Sequence, residues 1–432
     1  MKRNIIFIIT GACSVFSLFA QTNSIDNPAL KLDLPLFDFP YQIDAAHTLE
    51  YGFFESYTHP SMDASLNITA NVYSAFHYGM NRFKTAVGAD KFWKKFVYYG
   101  GTMVGDFFIY ILPIPTSYVW MHESFHRAGF THAGLQSHIN YDFPTGAYTI
   151  ADSGNFAYWY DIPRTIEAGI ESEYLLVEKL QRNNFFYEQN MFNEFLYLLA
   201  NYQAWVYAYM PFLNDDITMN VEGQEEEVST DSLQWVYGLF HPGEFIPDER
   251  AIRMSDLKDN EKAFFKNRVM WSLINLASPM MFGIRSIPLG RDTGFYGNFA
   301  LRHWYTSFGT DLSVDVYLKK APYNLIFKLH NYLNYEHYYP AIEAALLDYP
   351  VNFNGLALYL SPRVMIGMQP KDQNFFTASP EFFGLAGLRI DFAVSKHFLP
   401  YLEVTAKTDG WVAGNEFLEG NVSVKLGISA RF

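Results

Sequence analysis

Three residues in a five-residue window carry the most specific chemistry in this chain: His122 and His126, four apart, with Glu123 beside the first. Four residues is slightly more than one helical turn, so both imidazoles leave one face of a helix and can grip a single ion. A carboxylate beside such a pair lies next to the coordination position where zinc meets water, and it can accept that water's proton. The window must then be helical. Pro113 and Pro115 precede it, Thr116 or Ser117 can cap its start, and Gly129 can end it. It also closes an apolar segment, Phe96–Met121, where two histidines and a glutamate would be costly without partners. Gly100, Gly101, Asp106, Pro113 and Pro115 interrupt that segment, which predicts a buried core helix followed by a break rather than a membrane span.

A zinc site needs a third protein ligand, and candidates of two kinds lie downstream. His132 follows the pair directly, with Gly129 between. The other kind is a glutamate on the next predicted helix, where Ile166, Ile170, Tyr174 and Val177 form a buried stripe and Glu167, Glu171 and Glu178 line one edge. Ala168 and Gly169 are small enough to let this helix approach another closely. Glu171 is the favoured third ligand, His132 the second choice and Glu167 the third.

These residues resemble the zincin metallopeptidases. The run from His122 to His132 matches the metzincin pattern of two histidines, a glycine turn and a third histidine, although no Met-turn follows at the usual distance. Glu167 and Glu171, one turn apart, are similar to the gluzincin arrangement of one liganding glutamate and a second acid that orients a histidine. The resemblance covers residues 116–180, and no single peptidase family matches throughout. It implies Zn2+, a peptide or protein substrate, His122 and His126 as ligands, and Glu123 as the catalytic base.

The rest of the chain suggests where such chemistry would sit. Residues 1–20 read as a cleaved signal peptide: Lys2 and Arg3, then an apolar run from Ile5 to Phe19, then Ala20-Gln21. The one cysteine, Cys13, falls inside that segment and is a poor lipobox match, so a mature chain would have no thiolate ligand. Residues 21–80 are aromatic and aperiodic. Residues 81–290 read as a mainly helical domain that includes a solvated loop at 213–232 and a further apolar helix near 264–283.

From about residue 291 the period becomes two. Leu312 to Lys319 alternates without a slip, as does Val422 to Phe432, and every strand has one apolar face. Segments of about ten residues with aromatic ends, and a terminal Phe432, resemble bacterial outer-membrane barrels, which implies about eight transmembrane strands over 291–432 and outer-membrane lipid as a partner.

Composition agrees. Charged residues make up 18% of the 432, against about 25% in soluble domains, so part of the surface is expected to meet something other than water. The net charge of -14, with no Lys/Arg-dense stretch long enough to neutralise a run of phosphates, argues against a nucleic-acid partner. The expected fold is α+β, a helical zincin-like domain ahead of an antiparallel transmembrane β-barrel. The expected function is a zinc endopeptidase anchored in the outer membrane; the alternative is a non-enzymatic barrel protein whose helical part is a plug or scaffold with a structural metal or none.

Overall fold

The computed structural model describes Pro28 and residues 30–432, apart from 49–54, 89–90, 113–114, 143–145, 154–155, 157–159, 188–194, 216, 222–223, 245–250 and 292. The expected signal peptide and Cys13 lie outside the described residues.

Local chemistry sets the helix ends. Helix α1 spans Tyr41–Thr48. Helix α2, Met62–Val87, starts where Ser61 Oγ accepts from the Ala64 amide, and it stops at Gly88, whose φ of 58° most side chains disfavour. Helix α3 spans Phe92–Ile111. After a break comes α4, Tyr118–His132, the helix that carries the histidine pair. Of the two caps the sequence offers, Ser117 is the one used: its Oγ accepts from Trp120 N at 3.1 Å. Gly129 does not end α4, which runs on to His132. Its role is close approach, since a Cβ there would lie 3.0 Å from the Thr165 Cα of the next helix.

A hairpin of β2 (Gln136–Asp142) and β3 (Gly146–Ser153) follows, then α5 (Asp161–Phe186) and α6 (Phe195–Tyr209). The stretch expected as a solvated loop holds a second hairpin, β4 (Ile217–Val221) and β5 (Gln224–Val228), and the start of α7 (Asp231–Phe240). The further apolar helix begins earlier than expected, as α8 (Asp259–Trp271), and continues in short 3-10 turns to Phe282.

Beyond it the change of period becomes a change of architecture. The chain is a mixed α and β protein with a helical N-terminal half and a large antiparallel sheet in its C-terminal half. The strands are β6 (Ile287–Pro288), β7 (Tyr296–Thr306), β8 (Gly309–Lys320), β9 (Tyr323–Leu333), β10 (Tyr338–Leu347), β11 (Tyr349–Phe353), β12 (Leu356–Pro370), β13 (Pro380–Phe392), β14 (Phe398–Lys407) and β15 (Asn421–Arg431). β7 to β15 make nine strands where about eight were expected, because β11 is a short extra strand on β12. The sheet also recruits Lys31–Phe39, here β1, from the segment that showed no period; β1 lies beside β15 with Lys31 opposite Arg431. The strand order runs β1-β15-β14-β13-β12-β10-β9-β8-β7-β6.

Burial on this sheet is inverted relative to a soluble one. On β8 the residues turned inward are Ser313, Asp315 and Tyr317; on β9, Asn324, Ile326, Lys328 and Tyr332. The outward residues are Phe327, Leu329, Ile342, Val364, Ile366, Val422 and Leu426, all large, apolar and exposed. Inside, charge is paired: Arg302 with Asp315 at 2.6 Å, Arg389 with Asp33 at 2.6 Å and with Asp391 at 2.7 Å, and Arg431 with Asp348 at 2.8 Å.

Helix α5 lies against this ionic face. It buries 24 of its 26 residues, so the expected split into a buried stripe and an outer edge does not hold; it is enclosed on all sides. Glu178 meets Lys328 of β9 at 2.7 Å, and Gln181 accepts from Arg302 of β7. Helix α2 is tied in the same way, by Lys425 to Asp63 at 2.8 Å. Between α2, α5 and the sheet a cavity of about 270 Å³ remains, lined by both signs of charge.

The apolar helix α3 is not the buried core helix its composition suggests. Tyr98, Thr102, Asp106 and Tyr110 face its neighbours, while Phe92, Trp93, Phe96, Val97, Met103, Val104, Phe107 and Phe108 are exposed.

Candidate metal centre

The histidine pair is positioned by the packing of α4 on α5. His122 and His126 are each 7% exposed, as is Glu123. His126 Nδ1 lies 2.8 Å from the Thr165 carbonyl oxygen, which can only accept, so Nδ1 carries a proton and Nε2 is the nitrogen turned to Asp231. His122 has a carboxylate at each ring nitrogen, Glu173 Oε1 3.2 Å from Nδ1 and Asp231 Oδ2 2.9 Å from Nε2. The two Nε2 atoms converge to 3.2 Å.

The third donor at this point is Asp231, the first residue of α7. Its Oδ2 lies 2.9 Å from His122 Nε2 and 3.2 Å from His126 Nε2. Tetrahedral zinc with bonds of about 2.0–2.1 Å holds its ligand atoms about 3.3–3.4 Å apart, close to this triangle. Helix α5 leaves room for an ion: a Cβ at Gly169 would lie 2.2 Å from His126 Nε2 and 2.5 Å from His122 Nε2, near the bond length a metal would have to both. Two imidazole Nε2 atoms and a carboxylate oxygen, converging on space that a glycine keeps open, are a donor set that could hold a metal ion once the Nε2 protons are displaced. Among the described residues these three are the group of His, Cys, Asp and Glu side chains able to hold a metal, which leaves a fourth position for water or substrate.

Burial opposes charge on His122, but hydrogen bonds to Asp231 and Glu173 raise its pKa well above the ordinary value. Burial likewise pushes the Asp231 carboxyl up, yet charge on His126 and hydrogen bonds from both histidines hold it far below the usual carboxylate range. Tyr207 of α6 donates to Asp231 Oδ2 at 2.9 Å. Glu123 is held by β3, whose Thr149 Oγ1 donates to Glu123 Oε2 at 2.8 Å, and burial raises its pKa above the ordinary carboxylate value.

None of the three expected third ligands is at the pair. Glu171 and Glu167 both grip Arg164, whose Nη1 lies 2.6 Å from Glu167 Oε1 and 2.6 Å from Glu171 Oε2. The reason is helical phase. Residue 171 is about 200° around the helix from Gly169, so when Gly169 faces the histidines Glu171 faces away. Glu173, about 40° from Gly169, and Thr165, one turn earlier, share the histidine face. The away face meets the loop between β14 and β15: Trp411 Nε1 donates to Glu167 at 2.8 Å, and Gly414 N donates to Glu171 at 2.7 Å. His132 points into the same loop, with Nε2 3.2 Å from Glu419 Oε2 and its ring against Phe417.

Asp231 escapes a sequence reading because an acid beside Glu225, Glu226 and Glu227 looks solvated. Its signal is positional: Thr230, which caps α7 by accepting from Leu233 N, and an acid in the first turn just ahead of an apolar run mark a helix start. No family model, curated protein or solved structure matches this chain, so its geometry alone bears on function.

Proposed function

We propose that the chain is a zinc-dependent hydrolase of peptide bonds, held in a bacterial outer membrane by its sheet. The observation that carries the reading is the convergence of His122 Nε2, His126 Nε2 and Asp231 Oδ2 within 3.2 Å, beside Glu123 and over Gly169. A zinc ion would supply Lewis acidity, polarising a carbonyl and making water acidic enough to lose a proton near neutral pH. Glu123 would be the general base for such a water, with Thr149 donating to its Oε2. Thr165 and Glu173 orient the imidazoles, and Tyr207 steadies Asp231.

The membrane part of the reading rests on the sheet. Its outward face is apolar and its inward face ionic, the arrangement of a protein whose outside is lipid. Closure into a barrel would place α5 in the lumen as a plug. The expected signal peptide supplies the route of export.

A second reading keeps the metal but not the reaction. Burial of the pair, with 7% exposure at each histidine, favours a structural ion in a non-enzymatic membrane protein. One pair of variants separates the two. Wild type is expected to bind about one zinc per chain, Asp231→Ala to lose it, and Glu123→Gln to keep it while losing peptide hydrolysis. Zinc held by wild type and by Glu123→Gln, lost in Asp231→Ala, with no hydrolysis by any of them would leave the structural reading standing; no zinc in wild type would sink both.

A further inference from the structure

We propose that α3 lies on a lipid bilayer, its apolar stripe among the acyl chains and its N-terminal lysines at anionic headgroups. The stripe recurs at spacings of three and four, at 92 and 93, 96 and 97, 103 and 104, and 107 and 108, so all of it leaves one side of the helix. Phe92, Trp93, Phe96 and Val97 are at least 65% exposed. The helix has not swung loose. Its other face is anchored by His77 of α2 on Asp106 at 2.6 Å and by Phe76 packed onto Gly105. Soluble proteins rarely leave so large a contiguous apolar patch in water.

Charge selects the occupant. From Arg82 to Lys95 the sequence carries five basic residues, Arg82, Lys84, Lys91, Lys94 and Lys95, and one acid, Asp90, in a chain whose net charge is -14. A basic cluster at one end of a stripe of Phe, Trp and Val is the composition of a helix in the membrane interface. The stripe is about 24 Å long at 1.5 Å per residue, short of the about 30 Å of a bilayer core. No described helix is long and apolar enough to cross one. Lying along the surface is therefore the geometry that satisfies both the stripe and the lysines. The outward face of the sheet is apolar too, so two separate elements present the same kind of surface. This inference stands on α3 alone and does not require the strands to span.

The test uses the full chain on a Cys13→Ser background, with a bimane label at Phe96→Cys or Val104→Cys on the stripe, Ile342→Cys on the sheet, or Glu244→Cys as the aqueous reference. Each is reconstituted in vesicles of phosphatidylethanolamine and phosphatidylglycerol, with and without brominated acyl chains. Labels at 96 and 104 are expected to lose about half or more of their emission to brominated lipid and little to iodide, with the reverse at 244. Quenching of 96 and 104 by iodide as strongly as 244 overturns the inference. So does shielding from both quenchers, which would mean that protein covers the stripe. Position 342 reports on the strands separately: lipid quenching at 342 but not at 96 sinks only the α3 inference, and the converse sinks only the spanning reading.

Discussion

The two acidic faces of α5 are built from the same residue type and serve opposite ends. On one face Thr165, Gly169 and Glu173 turn to the histidines; on the other Glu167 and Glu171 close on Arg164. Two residues of phase separate Gly169 from Glu171, and that is enough to take a carboxylate from a site where charge can do chemistry to one where it joins two parts of the chain. On the histidine face the acid is useful because Glu173 is bound to a single ring nitrogen. On the arginine face the acids are useful because Arg164, 1% exposed, would otherwise be a buried charge with too few partners.

If the faces are independent, each can be broken alone. Gly169→Ala is expected to have the largest effect: its Cβ would occupy the space between the two Nε2 atoms, so zinc content should fall from about one per chain to near zero while circular dichroism stays close to wild type. Zinc bound at wild-type level would show that the ion sits elsewhere. Arg164→Met comes next. It leaves Glu167 and Glu171 buried without their cation and should cost about 3–5 kcal/mol of stability, measured by denaturant unfolding, while the protein that remains folded binds zinc as wild type does. Parallel loss of zinc affinity in folded Arg164→Met would show that the faces are coupled. Glu173→Gln is the mildest and sharpens the comparison most. It keeps a hydrogen-bonding group at His122 Nδ1 but removes the charge, and zinc affinity in a competition titration should drop about 10–100-fold with little change in unfolding midpoint.

Helical phase also explains what the sequence could and could not show. The spacing of His122 and His126 is enough to put both on one face, and Ser117 is legible as a cap, because both depend only on neighbours within a turn or two. The small pair Ala168-Gly169 was a sound signal of close approach, but the stripe drawn through Ile166 and Ile170 assumed one buried side. Enclosed all round, α5 has no polar edge from which to choose a ligand, and the acids sort by which partner each meets. Asp231 lies 105 residues beyond His126, and nothing local to it announces the histidines. The strands were legible from their alternation; that their apolar side faces out depends on what fills the other side, a property of tertiary structure. The exposed stripe of α3 was hidden for the converse reason: a helix rich in Phe and Val reads as core whether or not another element covers it.

The pairing of β1 with β15 bears on how the chain comes to be folded. Lys31 and Arg431 are 400 positions apart and sit opposite each other, so the first of the described strands waits for the last of them before it has a strand beside it. Local helices such as α4 can form long before that, whereas a pairing of such separation is slow in folding because so much chain must be gathered first. α2 is tied to β1 by Asn71 and to β15 by Lys425, so its final seat also waits on that pairing. Loss of β15 would therefore leave not a trimmed edge but β1 with no strand beside it, 400 positions away.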